Sequence, residues 1–342
     1  MLQSIKAFPA AERARREPGR CLVTGGLGYT GSWISRHLAS LGHQVFILSR
    51  NCAGAEADFP FTPIRADVER MDCEETARLL PEGLDLVVHA AGLNDSDRPD
   101  YPRRSLLVNA LGTRNLLAAV LRRTTEAAGG GTPLVVYCST IHVYGRTGGR
   151  ITEESPVAPV NDYAATHLFA EEYCRMFTRA HDLPCIVLRL SNGYGAPKSP
   201  GGVDRRLLLN DLCASALRDG VLHLRSDPST QRDFVWLGDY CRVIEALMYR
   251  KDLAGRTFNV SSGKSLSIGE VAARTAKTAS AVTGREITVL RDAPEGTRQA
   301  SPAVDNTALR SALGIAFQDR MEAEIEGILR FLQATPAPNP PH

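Results

Sequence analysis

The sequence predicts an α/β protein built on a doubly wound parallel sheet, followed by a smaller mixed α/β domain. Short apolar segments alternate with segments of helical periodicity, which indicates a series of βαβ units. The apolar segments lack a polar face, and such strands are typical of parallel sheets covered by helices on both sides. A glycine-rich turn between the first strand and the first helix is also typical of these sheets.

The predicted elements begin at about residue 20. They are the strand CLVTG, a helix at 31–41, the strands VFILS, TPIRAD and LDLVVHAAG, a long helix at 106–123, and the strands PLVVYCST and LPCIVLRLS. After about Asn192 the alternation becomes irregular: helices near 205–217, 238–249 and 268–283 accompany the strand-like segment TFNV, which we assign to the second domain. The sequence therefore predicts a first domain over 20–192, while residues 193–334 mainly form a second, smaller domain packed on the carboxyl edge of the sheet.

Both ends of the chain lack apolar periodicity. Residues 1–19 are rich in Arg and Glu, and residues 335–342 are rich in Pro. Segments of this composition cannot bury enough apolar surface to fold alone, so we expect loose extensions there.

Composition narrows the class of protein. The 342 residues allow about two domains at the usual ~150 residues each. With 43% hydrophobic residues, 23% charged residues and a net charge of +2, the chain is ordinary for a globular protein and gives no sign of a nucleic-acid partner. No apolar run approaches the ~18 residues of a membrane span, and the amino-terminal segment lacks the apolar core of a secretory signal. We expect a cytoplasmic protein without membrane association.

The 8 cysteines are scattered along the chain without a CxxC pair. Several lie in apolar strand-like segments, where a reduced thiol packs as a small apolar group. The sequence therefore predicts neither disulfides nor a metal site.

The turn after the first strand reads TGGLGYTG from Thr24 to Gly31. Gly26, Gly28 and Gly31 fit the pattern GxGxxG between a strand and a helix, which is the context that gives this pattern its meaning. The glycines let the backbone approach a pyrophosphate, whose charge lies against the unpaired N–H groups of the helix. This turn predicts a dinucleotide site.

Several further motifs occur in a fixed order along the chain: ADV at Asp67, VVHAAG ending at Gly92, VNALGTRNLL, CSTIHVYG, PVAPVNDYAATHLFAEE, LRLSNGYG, RDFVWLGD and TFNVSSG. With TGGLGYTG, they resemble the extended short-chain dehydrogenase/reductase family, the NAD-dependent epimerase/dehydratase group that acts on nucleotide sugars. The resemblance implies a Rossmann-type NAD(P)-binding domain over 20–192 and a substrate domain over 193–334. It also implies a homodimer formed through the helices near Leu106 and Phe169.

The resemblance and the glycine motif together give a set of cofactor-binding residues: Gly25, Gly26, Gly28, Tyr29, Thr30, Gly31, Ser49, Arg50, Asp67, Val68, Ala90, Ala91, Gly92, Asn109, Tyr163 and His167. The family implies that Asp67 binds the adenine and that Asn109 is structural. The second strand ends at Ser49 and Arg50, without the acid that usually binds the adenosine ribose. This favours NADP over NAD, and NAD stays the alternative.

The resemblance implies a catalytic Tyr163 with Thr140 as its hydroxyl partner and Ser139 beside it. The family's lysine is missing, because the usual YxxxK reads YAATH and ends at His167. A lysine is cationic at pH 7, whereas a histidine of pKa about 6.5 is mostly neutral and acidifies a phenol less. Three interpretations remain open: a working enzyme that is slower or shifted in pH, altered chemistry, or cofactor binding without turnover.

Dehydratases and decarboxylases of this family carry an acid directly after the Ser/Thr. Here Ile141 and His142 follow Thr140, so the sequence favours epimerisation through a transient 4-keto sugar, or net reduction of a keto sugar. We interpret His142 and His89 as structural histidines, because each lies in or beside an apolar strand.

Substrate contacts are predicted at Asn94, Ser139, Thr140, Asn192, Arg232 and Arg298. Arg232 matches the family arginine that binds the nucleotide diphosphate, a task suited to guanidinium. Arg298 is a displaced candidate for a second family arginine. Arg205 and Arg206 either serve the phosphates or form a solvated face.

The sequence as a whole predicts an NAD(P)-dependent nucleotide-sugar epimerase. In this interpretation Thr140 orients the sugar hydroxyl, Tyr163 is the acid/base, and His167 holds the ribose. One alternative is an NADPH-dependent reductase of a 4-keto sugar or another carbonyl. The other is a non-catalytic dinucleotide-binding or regulatory protein, which the missing lysine motivates.

Overall fold

The computed structural model describes residues 18–52, 61–94, 98–127, 131–145, 148–199, 206–291 and 302–335. The extensions predicted at 1–19 and 335–342 fall almost wholly outside these ranges, as do Arg205 and Arg298. Within them, no helix is long and apolar enough to cross a membrane.

The first half of the chain alternates strands and helices. Its elements are β1 (Arg20–Thr24), α1 (Tyr29–Ser40), β2 (Gln44–Ser49), β3 (Phe61–Arg65), α2 (Cys73–Leu79), β4 (Leu86–His89), α3 (Tyr101–Ser105), a π-helical turn (Leu106–Leu111), α4 (Gly112–Glu126), β5 (Leu134–Thr140), β6 (Gly149–Ile151), α5 (Asp162–His181) and β7 (Cys185–Leu190). Two 3₁₀ turns, Val68–Arg70 and Ile141–Tyr144, lie between them.

The second half has shorter strands. Its elements are β8 (Asn192–Tyr194), α6 (Leu208–Asp219), β9 (Val221–Leu224), β10 (Gln231–Trp236), α7 (Leu237–Leu247), a 3₁₀ turn (Lys251–Leu253), β11 (Thr257–Val260), β12 (Ser265–Ser267), α8 (Ile268–Thr283), β13 (Thr288–Arg291), β14 (Pro302–Val304), α9 (Thr307–Leu313) and α10 (Met321–Ala334).

Seven parallel strands of the described residues form the central sheet, in the order β3–β2–β1–β4–β5–β7–β11. The predicted Rossmann-type parallel sheet is confirmed. The strand order reverses between β1 and β4, and ligands of such sheets bind at the carboxyl ends of the strands beside this switch point.

Alternate residues of each strand pack on opposite faces of the sheet. Val23 of β1 contacts a core that includes α1, α7 and α9, whereas Leu22 contacts a core that includes α2, α4 and α5. Both side chains are fully buried. Coverage on both faces explains why the strands lack polar faces in the sequence.

Our assignment of the TFNV segment to the second domain is wrong. The segment is β11, and it pairs in parallel with β7 as an edge strand of the large sheet. Phe258 and Val260 are fully buried in the core beneath that sheet, which is the physical reason for the placement. The helix at α7 also packs on the large sheet, so the chain returns to the first domain after Asn192.

The predicted helix boundaries shift by a few residues. The first helix begins at Tyr29 rather than residue 31, and the helix predicted at 106–123 is extended on both sides as α3, the π-helical turn and α4. The helices predicted at 205–217 and 238–249 lie at α6 and α7, whereas the helix predicted at 268–283 has those bounds as α8.

The smaller unit packs α6, α8 and α10 around a separate apolar core. It meets the large sheet at β10, where Val235 packs in the core of the large sheet and Phe234 in the core of the smaller unit. β10 pairs in parallel with β8. Asp233 of β10 is buried and fixes this junction, because its carboxylate accepts hydrogen bonds from the hydroxyls of Ser191, Ser261 and Ser262.

Candidate active site

A cleft lies at the carboxyl ends of the strands beside the switch point. Many of its lining residues are ones that the sequence predicts to bind a dinucleotide: Gly25, Gly28, Ser49, Arg50, Asp67, Val68, Ala90, Ala91 and Gly92. Because these residues come from four separate segments of the chain, their convergence is a property of the fold. We call this the cofactor cleft.

Around the start of α1 the backbone segments pack so closely that a side chain larger than hydrogen does not fit at two of the glycines. Gly25 has φ +64°, and a Cβ there would lie 2.8 Å from the Cα of Ala91. A Cβ on Gly31 would lie 2.1 Å from the carbonyl oxygen of Gly25. Helix α1 begins after Gly28 without a side-chain cap, so the N–H groups of its first turn stay available to an anion.

Asn109 lies in the π-helical turn and is buried. Its Oδ1 accepts the Leu93 N–H at 2.7 Å, and its Nδ2 donates to the Leu93 carbonyl at 3.1 Å and to the Thr166 hydroxyl at 3.0 Å. The side chain therefore fixes the loop after β4 against α5, as expected of a structural residue. The side-chain amide of Asn109 is fully engaged in these hydrogen bonds.

Thr140, Tyr163 and His167 line one pocket, which also includes Tyr29, Thr30 and the 90–92 segment. Thr140 ends β5, and the other two residues lie in the first turns of α5. That helix begins where the Asn161 side chain accepts the Ala164 N–H at 2.9 Å. We call this the catalytic pocket.

Within the catalytic pocket, Tyr163 and His167 lie one helical turn apart. Their ring centroids are 4.5 Å apart in an edge-on arrangement. The spacing of YAATH therefore brings both rings to the same face of α5, as the sequence predicts.

His167 is buried, with 5% of its surface exposed. Its Nδ1 lies 2.6 Å from the Tyr137 hydroxyl, and its Nε2 has no hydrogen-bond partner among the described residues. Burial lowers the pKa of His167 to about 4, with Glu171 opposing this effect and His142 adding to it. The imidazole is therefore neutral at pH 7 and supplies no fixed positive charge to Tyr163.

The position of the buried Nε2 of His167 indicates whether the cofactor cleft suits a dinucleotide. This nitrogen lies 3.8 Å from the place where a Cβ on Gly92 would stand, at the boundary of the cofactor cleft. A ribose hydroxyl there would satisfy the nitrogen, and the close-packed glycines leave room for a pyrophosphate. These residues fit NAD(P), which when bound supplies a hydride acceptor and donor.

Ser139 lines the catalytic pocket beside Thr140, but its hydroxyl is engaged elsewhere, so its contact with substrate stays a prediction. Its hydroxyl is buried and donates to Glu171 Oε1 at 2.6 Å. Glu171 is fully buried and also binds Arg189, whose Nη2 lies 2.6 Å from its Oε2. The physical reason is the alternation of β5: Ser139 is turned toward this ion pair, whereas Thr140 is turned toward the pocket.

His89 and His142, which we interpreted as structural, have different surroundings. His89 is buried between the hydroxyls of Thr24 and Thr113, at 2.6 and 2.9 Å, and burial lowers its pKa to about 3. The structural interpretation holds for His89. His142 is instead exposed in the pocket with its ring 5.9 Å from that of Tyr163, because the 3₁₀ turn after β5 directs it outward.

A second pocket adjoins the catalytic pocket and shares Tyr29, Asn94, His142, Asn192 and Gly193 with it. It is also lined by Arg206 and Arg232. The predicted contacts Asn94, Asn192 and Arg232 thus lie together, and we call their site the substrate pocket. Arg298 lies outside the described residues.

Tyr137, which bonds His167, was missed from the sequence, and its signal was a phenol inside the otherwise apolar run PLVVYCST. His142 was interpreted as structural, and only the turn that follows β5 shows that it faces the pocket.

The chain is similar to proteins of one known family. Residues 21–261 match the NAD dependent epimerase/dehydratase family. The dTDP-glucose 4,6-dehydratase of Streptomyces niveus is 28% identical over 329 residues, 90% of this chain and 92% of that protein. The UDP-glucose 4-epimerase of Mycolicibacterium smegmatis is 28% identical over 267 residues, 74% of this chain and 80% of that protein.

Among solved structures, RMD from Pseudomonas aeruginosa complexed with NADPH superposes with a TM-score of 0.73. It is 25% identical, and the match covers 91% of this chain and 98% of that one. The family match spans well over half of the chain and includes the residues that line the cofactor cleft together with Thr140, Tyr163 and His167. The chain belongs to the NAD-dependent epimerase/dehydratase family and is an enzyme of the short-chain dehydrogenase/reductase type.

Proposed function

We propose that the protein is a nucleotide-sugar 4-epimerase that acts through a transient 4-keto sugar. The observation that carries the proposal is the position of Thr140, Tyr163 and His167 between two sites. One is a cleft built for a dinucleotide, and the other is a pocket lined by Arg232. A relative that is 28% identical over 267 residues is a UDP-glucose 4-epimerase.

In this mechanism Tyr163 exchanges the proton of the sugar 4-hydroxyl, as a general base in oxidation and a general acid in reduction. Thr140 orients that hydroxyl from the end of β5. His167 binds the ribose through Nε2 and contributes no charge, so the phenol proton is less acidic than it would be beside a lysine.

Arg232 is proposed to bind the diphosphate of the nucleotide. It lies on β10 in the substrate pocket, beside His142, whose pKa it helps to lower. A guanidinium can bind two phosphate oxygens at once, which holds the sugar end toward Tyr163.

Ile141 and His142 favour epimerisation over dehydration. A relative is a dTDP-glucose 4,6-dehydratase, but the two residues after Thr140 carry no carboxylate in this chain. Elimination of water needs a second proton-transfer group at the sugar, and the acid that family dehydratases place there is missing.

Arg50 supports a preference for NADP over NAD. It lies with Ser49 at the end of β2 and lines the cofactor cleft, where a guanidinium suits a 2′-phosphate. The same observation favours one second candidate function, an NADPH-dependent reductase of a keto sugar. The solved structure of RMD contains NADPH.

One experiment separates these functions. The purified protein is incubated with UDP-glucose or dTDP-glucose and either NAD⁺ or NADP⁺, and the sugars are followed by proton NMR. We expect a mixture of C4 epimers without net accumulation of reduced cofactor. In a parallel incubation with NADPH and a 4-keto nucleotide sugar, steady NADPH consumption would instead establish the reductase. Dinucleotide binding without product in either incubation would reject both enzymes.

A homodimer is proposed from apolar residues exposed on two adjacent helical segments. Phe169 of α5 is 57% exposed, and Leu106 and Leu111 of the neighbouring π-helical turn are 50% and 43% exposed. Burying such side chains against a second copy removes apolar area from water.

We expect Phe169→Glu to give a monomer in light scattering, because a carboxylate cannot be buried unpaired. Leu290→Glu is the matched control, since Leu290 is 48% exposed on β13 in the smaller unit. A variant Phe169→Glu that stays dimeric, or a monomeric native protein, contradicts the proposal.

A further inference from the structure

Tyr137 and His167 form a buried pair behind the catalytic pocket. Tyr137 is on β5 with 1% of its surface exposed, and its ring centroid is 5.8 Å from that of His167. The 2.6 Å contact joins the phenol oxygen to Nδ1. Nδ1 is the one hydrogen-bond partner of this hydroxyl among the described residues.

The protonation of the pair follows from counting donors and acceptors. Burial raises the pKa of Tyr137 well above its ordinary value, so its hydroxyl keeps its proton. If the phenol donates to Nδ1, the imidazole proton is on Nε2, and one buried polar group lacks a partner. If instead Nδ1–H donates to the phenol oxygen, the phenol proton and Nε2 both lack partners. The first arrangement leaves fewer unsatisfied groups and is favoured.

Of the groups around His167, Tyr137 is the one that decides which ring nitrogen carries the proton. His89, on the other side of the Tyr137 ring, is neutral and held by two threonine hydroxyls. Glu171, one turn further along α5, is paired with Arg189, and His142 lies on the far side of Tyr163. Only the phenol contacts Nδ1 among the described residues.

We propose that Tyr137 is a positioning residue that fixes His167 as the Nε2–H tautomer, so that this N–H donates to a ribose hydroxyl of the bound dinucleotide. The proposal rests on the proposed function for the identity of the acceptor. In this proposal an uncharged N–H donor, Nε2–H of His167, occupies the position at which the family carries a cationic lysine.

The tautomer is measured directly on protein labelled with ¹⁵N in its histidine rings. A long-range ¹H–¹⁵N spectrum reports which ring nitrogen carries the proton, and His167→Gln identifies the signal. We expect Nε2–H in the native protein and an increased Nδ1–H population in Tyr137→Phe. Tyr240→Phe is the matched control, because Tyr240 is fully buried on α7. This substitution removes a buried phenol hydroxyl that does not contact His167.

The second measurement is the Kd of NAD⁺ and NADP⁺ by titration calorimetry. We expect Tyr137→Phe to weaken binding of the preferred dinucleotide about 2- to 12-fold, the range typical of one lost hydrogen bond, while Tyr240→Phe leaves it unchanged. A native His167 protonated on Nδ1, an unchanged tautomer in Tyr137→Phe, or an unchanged Kd would each overturn the proposal. A native protein that binds no dinucleotide but shows Nε2–H would overturn the proposed function and the ribose contact, while the tautomer assignment stands.

Discussion

Replacing Tyr163 with phenylalanine is expected to reduce kcat for epimerisation by about 10²- to 10⁴-fold, the range typical of a lost general acid/base. The change removes only the phenol oxygen from the catalytic pocket, where its ring packs 4.5 Å from that of His167. Binding of the dinucleotide should persist, because the cofactor cleft is formed mainly by other segments. Steady-state kinetics and calorimetry on the same preparation measure both quantities.

Tyr173→Phe is the control for this variant. Tyr173 lies on the same helix α5 and is partly buried against the core rather than in the pocket. We expect its kcat to be unchanged. A Tyr163→Phe variant as active as the native enzyme would remove Tyr163 from the chemistry and require another proton donor.

Replacing His167 with lysine is expected to raise kcat near pH 7 by about 10-fold or more and to shift the pH–rate profile to lower pH. The native imidazole has its pKa lowered to about 4 by burial, so it is uncharged above that value. An ammonium ion one helical turn from Tyr163 favours the phenolate, and each unit by which a phenol pKa falls gives a tenfold larger phenolate fraction at pH 7. The acidic limb of the profile, along which the rate rises as the phenol loses its proton, therefore moves to lower pH.

The lysine at this position would lie near Glu171, a buried carboxylate one turn along α5 whose charge already favours a protonated His167. The control is His181→Lys, which adds the same charge at the exposed end of α5. We expect the control to keep the native profile. A His167→Lys variant with an unchanged profile and an unchanged or lower rate at pH 7 would show that the enzyme does not depend on a field at Tyr163.

The cofactor side of the molecule could be predicted from the sequence because its requirements are local. Gly25 and Gly31 are required by contacts within a few residues or across one strand pair, and the motif reports that geometry directly. The YAATH spacing likewise placed Tyr163 and His167 on one face of a helix. Apolar strands without polar faces were enough to predict a sheet covered on both sides.

The parts that could not be predicted depend on contacts between distant segments. β11 has four residues, and nothing in them decides whether it pairs with β7 or with strands of the smaller unit. Ser139 and Thr140 are adjacent, and only the pleat of β5 decides which one faces Glu171. The Tyr137–His167 bond joins a strand to a helix across 30 residues of sequence.

The most direct test of the account is the fate of deuterium in a nucleotide sugar labelled at C4, with UDP-glucose as the first probe. If Tyr163 moves the hydroxyl proton and a bound nicotinamide holds the hydride, the epimerised product retains deuterium at C4 after many turnovers in ordinary water. Mass spectrometry and NMR of the product measure this retention. Loss of the label to solvent in the epimer would contradict hydride transfer at C4 and with it the assignment of the catalytic pocket.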